Sequence, residues 1–163
     1  MEKTFRDDDI NKYTDVNTLI RIQKLFDEFN KIHTVSVLME DLQENFGVWY
    51  WLMTTPNIDI ALHGWRHEDY SSMPYSEILN NLKRCLGYWR VNSARGGYVL
   101  KPIKVFYPPW NKTSDLLVLA CQEVGLELRV DGDYCFHWWE FIGGRNITKL
   151  VSILSDAREE CRN

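Results

Sequence analysis

Short apolar runs alternate along this chain with longer segments of helical period, and this alternation constrains the fold more than any other feature. The runs at 32–39 and 58–62 predict strands, and apolar side chains at helical spacing over 15–30 predict a helix. Regular alternation of this kind is typical of a parallel sheet covered by helices. The predicted strands are 3–8, 32–39, 58–62, 103–107, 126–130 and 134–138; the predicted helices are 15–30, 41–53, one opened by Pro74, 113–124 and 147–160.

The length and composition predict one α/β domain over residues 1–163. Of the 163 residues 45% are hydrophobic, which is enough for a sizeable core. Only six strands are visible in the sequence, so an eight-stranded (β/α) barrel would have to be incomplete. The net charge of −4 gives no electrostatic case for binding nucleic acid or an anionic membrane.

The N-terminus and the cysteines bear on the compartment. The charged start of the chain lacks the apolar core of a signal peptide, and no apolar run approaches the roughly 20 residues that span a bilayer. We therefore expect a cytoplasmic protein whose mature chain begins at Met1. The cysteines are scattered without a C-x-x-C pair and are expected to be reduced thiols: Cys85, Cys121, Cys135 and Cys161.

Two histidines, His63 and His67, follow the predicted strand 58–62 at a spacing that lets both close on one metal ion. Three aspartates at 7–9 end the first predicted strand. Two imidazoles and one carboxylate suit a catalytic zinc with an open position. Because the carboxyl ends of parallel strands meet at one rim, we expect these segments to converge there with residues 109–111 and His137.

Four segments in this order resemble the motifs of a known family: TFRDDDI (4–10), HGWRH (63–67), FYPPWN (106–111) and CFHWWE (135–140). They are similar to the Asp-Asp pair, the H-x-x-x-H motif, the R-P-P-Y-like turn and the late histidine of the polysaccharide deacetylase family (NodB-homology domain, carbohydrate esterase family 4). The resemblance covers about residues 4–155. It implies a compact, irregular or incomplete (β/α) barrel that uses a metal ion to hydrolyse an N-acetyl group on a sugar.

Matched by position, the resemblance implies that Asp9, His63 and His67 bind a divalent metal and that water fills its remaining positions. Zinc suits this ligand set, and cobalt, nickel or iron(II) also fit it. Which two of the three aspartates act is left open. Asp8 as base with Asp9 as ligand is preferred, and Asp7 as base with Asp8 as ligand is the alternative.

The resemblance also implies the proton carriers. Asp8 would take a proton from the attacking water, and His137 would protonate the leaving amine. The main-chain N–H of Trp110, after the second proline, resembles the family's oxyanion donor.

The chain departs from the family pattern at Tyr107, where the family usually has an arginine that orients the catalytic aspartate. Arg6 shares a strand face with Asp8, because side chains two residues apart in a strand point the same way. We therefore hypothesise that Arg6 partly replaces this arginine. For the aspartate that tunes the acid histidine in the family, only Asp131 and Asp133 are candidates.

The predicted function is that of a metal-dependent deacetylase acting on an amino sugar or glycoconjugate, as a small molecule or an oligosaccharide. Two alternatives stay open: a non-catalytic carbohydrate-binding barrel, and a metal-dependent hydrolase of another amide or ester. The sequence leaves the oligomeric state open. Residues assigned to substrate are Tyr107, Asn111, Trp65 and Trp138; the aromatic ones, with Trp110 and Trp139, form either a sugar platform or part of the core.

Overall fold

The computed structural model describes residues 4–130 and 134–159, and for 157–159 only the main chain. Within these ranges every predicted strand and helix has a counterpart of the same type. The strands are β1 (Phe5–Ile10), β2 (His33–Leu38), β3 (Ile58–Gly64), β4 (Val105–Phe106), β5 (Glu127–Leu128) and β6 (Tyr134–His137). The α-helices are α1 (Val16–Glu28), α2 (Phe46–Thr54), α3 (Tyr75–Arg95), α4 (Asp115–Val124) and α5 (Ile147–Glu159).

The six strands form one sheet in the order β5-β4-β3-β2-β1-β6, and each neighbouring pair is parallel. The parallel α/β prediction is therefore confirmed. The two outer strands, β5 and β6, do not pair with each other in the part of the chain that the structure describes. The sheet is accordingly an irregular, incomplete (β/α) barrel, as expected for six strands.

Helix caps explain where two of the helices begin. The side chain of Asp15 accepts hydrogen bonds from the main-chain N–H groups of Asn17 and Thr18, so α1 begins at Val16. The single helix predicted over 41–53 is wrong in one respect, because it divides into a 3-10 turn at Leu42–Glu44 and α2. The Asn45 side chain lies between the two and caps α2.

The two faces of the sheet differ in chemistry. Phe5 and His33 point towards α1 and pack against Phe26, with ring centroids 5.7 and 4.5 Å away. Strand residues alternate in direction, so Arg6 and Asp8 lie on the opposite face. The sheet therefore has an aromatic face beneath the helices and a polar face inside the incomplete barrel.

Irregular backbone at the ends of β1 and β3 builds the rim. Asp9 lies at a register shift in β1 and has a left-handed φ of 66°. Its carbonyl accepts hydrogen bonds from Asn11 Nδ2 (2.8 Å) and Trp138 Nε1 (2.9 Å). Strand β3 is longer than predicted and includes His63, while Asp8 of β1 pairs in register with His137 of β6. These features bring the polar ends of three strands together.

Three of the four cysteines lie within the described residues, as do the helices α1 to α5. Cys85 and Cys121 are buried and Cys135 is exposed, and all three are free thiols, whereas Cys161 lies outside the described residues. None of the helices there combines the length and apolar character that a bilayer crossing needs.

Candidate metal centre and active site

Asp9, His63 and His67 meet at the rim between β1 and β3. Asp9 Oδ1 lies 3.4 Å from His63 Nε2 and 3.3 Å from His67 Nε2. One ligand atom from each residue lies within 4.8 Å of the others. The two residues of the H-x-x-x-H motif thus face one carboxylate oxygen, as two imidazoles and a carboxylate around a single ion must.

The hydrogen bonds around His63 favour metal binding through Nε2. Its Nδ1 lies 2.7 Å from the main-chain oxygen of Tyr107, which can only accept, so Nδ1 carries a proton. In the neutral ring Nε2 then holds the free lone pair directed at Asp9. A metal-ligating histidine is commonly fixed in this way by a carbonyl on its other nitrogen.

The protonation states around Asp9 also suit a cation. Burial alone would raise the pKa of Asp9, but His63, His67 and His137 together lower it below its usual value. Burial, followed by the neighbouring His63, lowers the pKa of His67, so its ring is neutral. An ionised carboxylate beside neutral imidazoles is the form that binds a metal ion.

A metal ion also fits the buried polar atoms that the protein itself leaves without partners. Asp9 Oδ1 and Asp8 Oδ1 are buried, and neither has a hydrogen-bond partner among the described residues. Buried carboxylate oxygens are normally satisfied, so each needs an explanation. A cation at Asp9 with a water beside Asp8 would satisfy both atoms. The residues present therefore fit the divalent metal that the resemblance implies.

Asp8 lies beside this cluster and is held by Arg6. The Arg6 Nη2 atom is 3.1 Å from Asp8 Oδ2, and both side chains are buried. Arg6 also donates to Asn111 Oδ1 (2.7 Å), and its guanidinium lies over the Tyr107 ring at 4.5 Å. The Cys135 thiol adds a contact of 3.3 Å to the same carboxylate oxygen of Asp8. Arg6 thus contacts the carboxylate that the sequence analysis assigned to it.

Asp7 does not belong to this site. Its carboxylate lies on the helix-covered face of the sheet, 3.2 Å from His33 Nε2, and both side chains are fully buried. The alternative register, with Asp7 as base and Asp8 as metal ligand, is therefore wrong. The pleat of β1 separates Asp7 from the rim and leaves Asp8 and Asp9 together.

His137 lies on the other side of Asp9 from the H-x-x-x-H pair. Its Nε2 is 3.8 Å from Asp9 Oδ2, and its Nδ1 is 3.7 Å from Glu140 Oε2. The same Glu140 oxygen accepts the main-chain N–H of His137 at 2.9 Å. Burial alone would raise the pKa of Glu140, but hydrogen bonds from Lys149 and the His137 main chain lower it. An anionic Glu140 thus faces the far side of the imidazole.

Two exposed indoles flank the cluster. Trp110 has a left-handed φ of 55° and lies against His67, with ring centroids 4.3 Å apart. Trp139 stacks on His137 at 4.8 Å. Their exposed fractions are 61% and 49%, so both rings are open to a ligand.

Three of the residues assigned to substrate are buried, and that assignment is corrected. Tyr107 has no exposed surface, and its hydroxyl lies 3.2 Å from Thr4 Oγ1. Trp65 packs in the core against Tyr88 and beneath Arg84, whose guanidinium is 3.7 Å from its ring. Trp138 is also buried, and its indole N–H holds the Asp9 main chain. The remaining assigned residue, Asn111, is exposed at the rim.

Sequence reasoning missed Glu140 and Cys135 as parts of the site. Cys135 could have been found, because it lies two residues before His137 in a strand and so shares its face. Glu140 was harder to predict from the sequence, since its approach to His137 depends on the 3-10 turn Trp138–Gly144. The aspartates proposed for this place, Asp131 and Asp133, lie outside the described residues.

Comparison with known proteins identifies the fold. Neither a family model nor a curated protein matches the sequence. The chain is similar to a CE4 family pseudoenzyme from Bacillus anthracis, with 13% identity, a TM-score of 0.70 and coverage of 97% of this chain and 62% of that chain. It is also similar to a family 4 carbohydrate esterase from Streptomyces lividans in complex with acetate (12%, 0.68, 97% and 88%) and to the peptidoglycan deacetylase PdaC from Bacillus subtilis (15%, 0.61, 98% and 92%).

These likenesses cover nearly all of this chain, although it spans less than two thirds of the length of the Bacillus anthracis pseudoenzyme. The chain therefore has the fold of the family 4 carbohydrate esterases. The resemblance drawn from the sequence motifs is confirmed at the level of that fold.

Proposed function

We propose that this protein is a metal-dependent deacetylase that hydrolyses an N-acetyl group on an amino sugar or glycoconjugate. The observation that carries the proposal is the Asp9 carboxylate, set between two imidazole nitrogens at 3.4 and 3.3 Å and flanked by Asp8 and His137. The shared fold supports a deacetylase-type esterase.

Asp9, His63 and His67 would hold the divalent metal, most simply zinc, with cobalt, nickel or iron(II) as alternatives. When bound, the ion would polarise the amide carbonyl and lower the pKa of a water. The hydrogen bond at His63 Nδ1 leaves Nε2 free to bind this ion, and the lowered pKa of Asp9 keeps its carboxylate ionised.

Asp8 is proposed as the general base. Its Oδ1 atom, which has no partner among the described residues, would accept the proton of the attacking water. Arg6 holds Oδ2 at 3.1 Å, so the carboxylate is fixed with Oδ1 directed away from the ion pair. Arg6 would thereby serve as the orienting residue in place of an arginine at position 107.

His137 is proposed as the general acid. Its Nε2 faces Asp9, so a proton there can reach a leaving nitrogen above the centre. The water oxygen bonds to the acyl carbon, the C–N bond breaks, and the nitrogen takes a proton, which gives acetate and an amine. The Trp110 main-chain N–H would donate to the developing negative charge on the acyl oxygen.

The exposed indoles suggest where a sugar ring would lie. Trp110 and Trp139 border the centre on the His67 and His137 sides, and exposed tryptophan rings offer flat apolar surfaces to the C–H faces of a sugar. Asn111 would add a polar contact at the same rim. Trp139 therefore takes the substrate role that the sequence analysis gave to Trp65, Tyr107 and Trp138.

Metal removal tests the proposal most directly. The purified protein is analysed for metals, stripped with a chelator and reloaded with zinc, cobalt, nickel or iron(II), and acetate release from N-acetylglucosamine monomers and oligomers is measured. We expect release to disappear on stripping and to return on reloading. Asp9→Asn and His63→Ala should weaken metal binding by more than the ~100-fold typical of an outer-shell change. Asp156→Asn, an exposed carboxylate on α5, is the matched control.

A non-catalytic carbohydrate-binding barrel is the second candidate. It is favoured by the similarity to a protein named a pseudoenzyme and by Tyr107 at the position of the family's usual arginine. Sugar binding without acetate release from any loaded form would support it. Acetate release that depends on Asp8 would exclude it.

A further inference from the structure

The two histidines of the proposed centre are held in different ways. The His63 ring is fixed by its Nδ1 hydrogen bond to the Tyr107 carbonyl. His67 has no such bond, since no hydrogen bond to its Nδ1 occurs among the described residues, and its ring lies against His63 and Trp110 and near Asp9. His67 also has a left-handed φ of 71°, so its position depends on the conformation of the loop that carries it.

The Glu68 side chain holds that loop by hydrogen bonds to its main chain. The Glu68 Oε2 atom accepts the main-chain N–H of Trp65 at 3.1 Å and that of Arg66 at 3.0 Å. The carboxylate therefore binds the main chain of the turn that joins the two histidines. Two charge-assisted hydrogen bonds on consecutive N–H groups define the path of the chain just before His67.

The Glu68 carboxylate is itself held by neighbours. Asn81 Nδ2, on α3, donates to Oε1 at 3.0 Å, and the Tyr70 hydroxyl lies 3.3 Å from Oε2 and 2.6 Å from Asn81 Oδ1. Gly64 leaves the space for this arrangement: a Cβ there would lie 2.8 Å from the Tyr70 hydroxyl and 3.0 Å from Glu68 Oε2. The loop is thus tied to the long helix through Glu68.

We propose that Glu68 is a positioning residue that fixes the loop of residues 65–67 and so sets the geometry of His67 as a metal ligand. This inference rests on the proposed metal centre and deepens it. Glu68 acts on the backbone, whereas the Tyr107 carbonyl acts on the ring of His63. The two ligands of the motif therefore have separate supports, one for the side chain and one for the loop.

Metal affinity of the stripped protein, measured by calorimetric titration with zinc and cobalt, tests the proposal without reference to turnover. Glu68→Ala should weaken binding by about 10- to 100-fold, the effect typical of groups that orient a ligand. Glu68→Gln should retain most of the affinity, because its amide oxygen can accept both N–H groups while the Asn81 amide turns over to accept from it. Glu77→Ala, an exposed glutamate in the first turn of α3, is the control and should bind as the wild type does.

Glu68→Asp withdraws the carboxylate from the loop and keeps the charge. It should bind metal more weakly than Glu68→Gln. If Glu68→Ala does not fold, the comparison of these two variants tests the positioning role.

Thermal melts of the metal-free forms separate positioning from stability, since a purely structural residue would lower the melting temperature without changing affinity in the folded protein. Equal affinity of wild type, Glu68→Ala and Glu68→Asp would overturn the role of Glu68 and leave the centre standing. A wild type that binds no metal would overturn the centre and this inference with it.

Discussion

Asp7 and Asp8 are neighbours in β1 and both are buried, with exposed fractions of 0% and 3%, yet they lie on opposite faces of the sheet. Asp8 points into the incomplete barrel and contacts Arg6 at 3.1 Å. Asp7 points under the helices and contacts His33 at 3.2 Å. One carboxylate has a permanent cation as partner, and the other has a neutral imidazole.

The comparison teaches that burial alone does not decide what a carboxylate can do. Burial raises the pKa of Asp7 well above its usual value, because no fixed positive charge opposes the loss of solvent. Asp8 has the Arg6 guanidinium, the Cys135 thiol and an oxygen left for another partner. The face with the cation therefore carries the proposed chemistry, and the face with the imidazole belongs to the core.

The largest expected difference between the two faces is in turnover. Asp8→Asn removes the proposed base and should lower kcat by about a thousandfold, within the range for general-base catalysis. Asp7→Asn should leave kcat near the wild-type value, because the Asp7 carboxylate lies on the opposite face of the sheet and its side-chain partner is His33 of the core. Acetate release by both metal-loaded variants is the measurement. Comparable losses in the two variants would show that the faces are not separate in function.

Arg6→Ala should have the next largest effect. It leaves the Asp8 carboxylate buried without its cation, which should destabilise the fold by about 3 kcal/mol. It also frees a group that must be held for proton transfer, so kcat should fall by about a hundredfold. Urea unfolding and acetate release measure the two effects, and Arg6→Lys, which keeps the charge, should lie between. Unchanged turnover in Arg6→Ala would refute the orienting role.

Prediction from the sequence was strongest where the pleat of a strand fixes the direction of a side chain. Because Arg6 and Asp8 are two residues apart in a strand, the sequence predicted that they share a face. The position of Asp9 and His63 at the ends of their strands predicted that they meet at one rim. These inferences need only the period of a strand and the rule that parallel strands end together. The parallel sheet followed from the same regularity.

Prediction was weakest where the chain leaves regular structure. Trp65 follows Gly64, whose φ of 110° turns the chain, so its indole enters the core beneath Arg84 instead of the rim. Glu68 acts through loop N–H groups, and Asn81 reaches it from a helix thirteen residues along the chain. Such contacts depend on tertiary geometry that neither spacing nor periodicity contains.

The core face contains a chain of hydrogen bonds that sets the proton positions. Asp27 accepts from Gln23 Nε2 at 2.9 Å, which turns the amide oxygen of Gln23 towards His33 Nδ1 at 3.1 Å. That oxygen can only accept, so Nδ1 carries the proton of His33 and Nε2 accepts from a protonated Asp7. Burial lowers the pKa of His33 to about 3 and raises that of Asp7, and both directions agree with this neutral pair.

The smallest predicted effect is a pH dependence of stability that tests whether the buried Asp7–His33 pair keeps one proton in the folded protein. The raised pKa of Asp7 stabilises the folded protein below about pH 4, and this stabilisation is lost as the pH rises. The lowered pKa of His33 stabilises the folded protein above about pH 6.5, and this stabilisation is lost as the pH falls towards 3. Between about pH 4 and 6.5 the two contributions cancel in the wild type, since the folded and unfolded states each hold one proton on the pair. Above this window wild-type stability should fall with pH.

Asp7→Asn keeps a donor towards His33 Nε2 and removes the Asp7 titration. Relative to the wild type, the variant should gain about 1.4 kcal/mol in free energy of unfolding for each pH unit above about 4, until Asp7 ionises in the folded protein. Urea unfolding of both metal-free proteins at pH 5, 7 and 8.5 gives this difference, in which contributions from other groups cancel. An ionised Asp7 beside a neutral His33 would instead leave this difference flat over the whole range, because the folded forms of both proteins would then bind no proton at these positions. A rising, straight line over this range is therefore the result that identifies one proton kept by the buried pair, which the hydrogen bond from His33 to Gln23 places on Asp7.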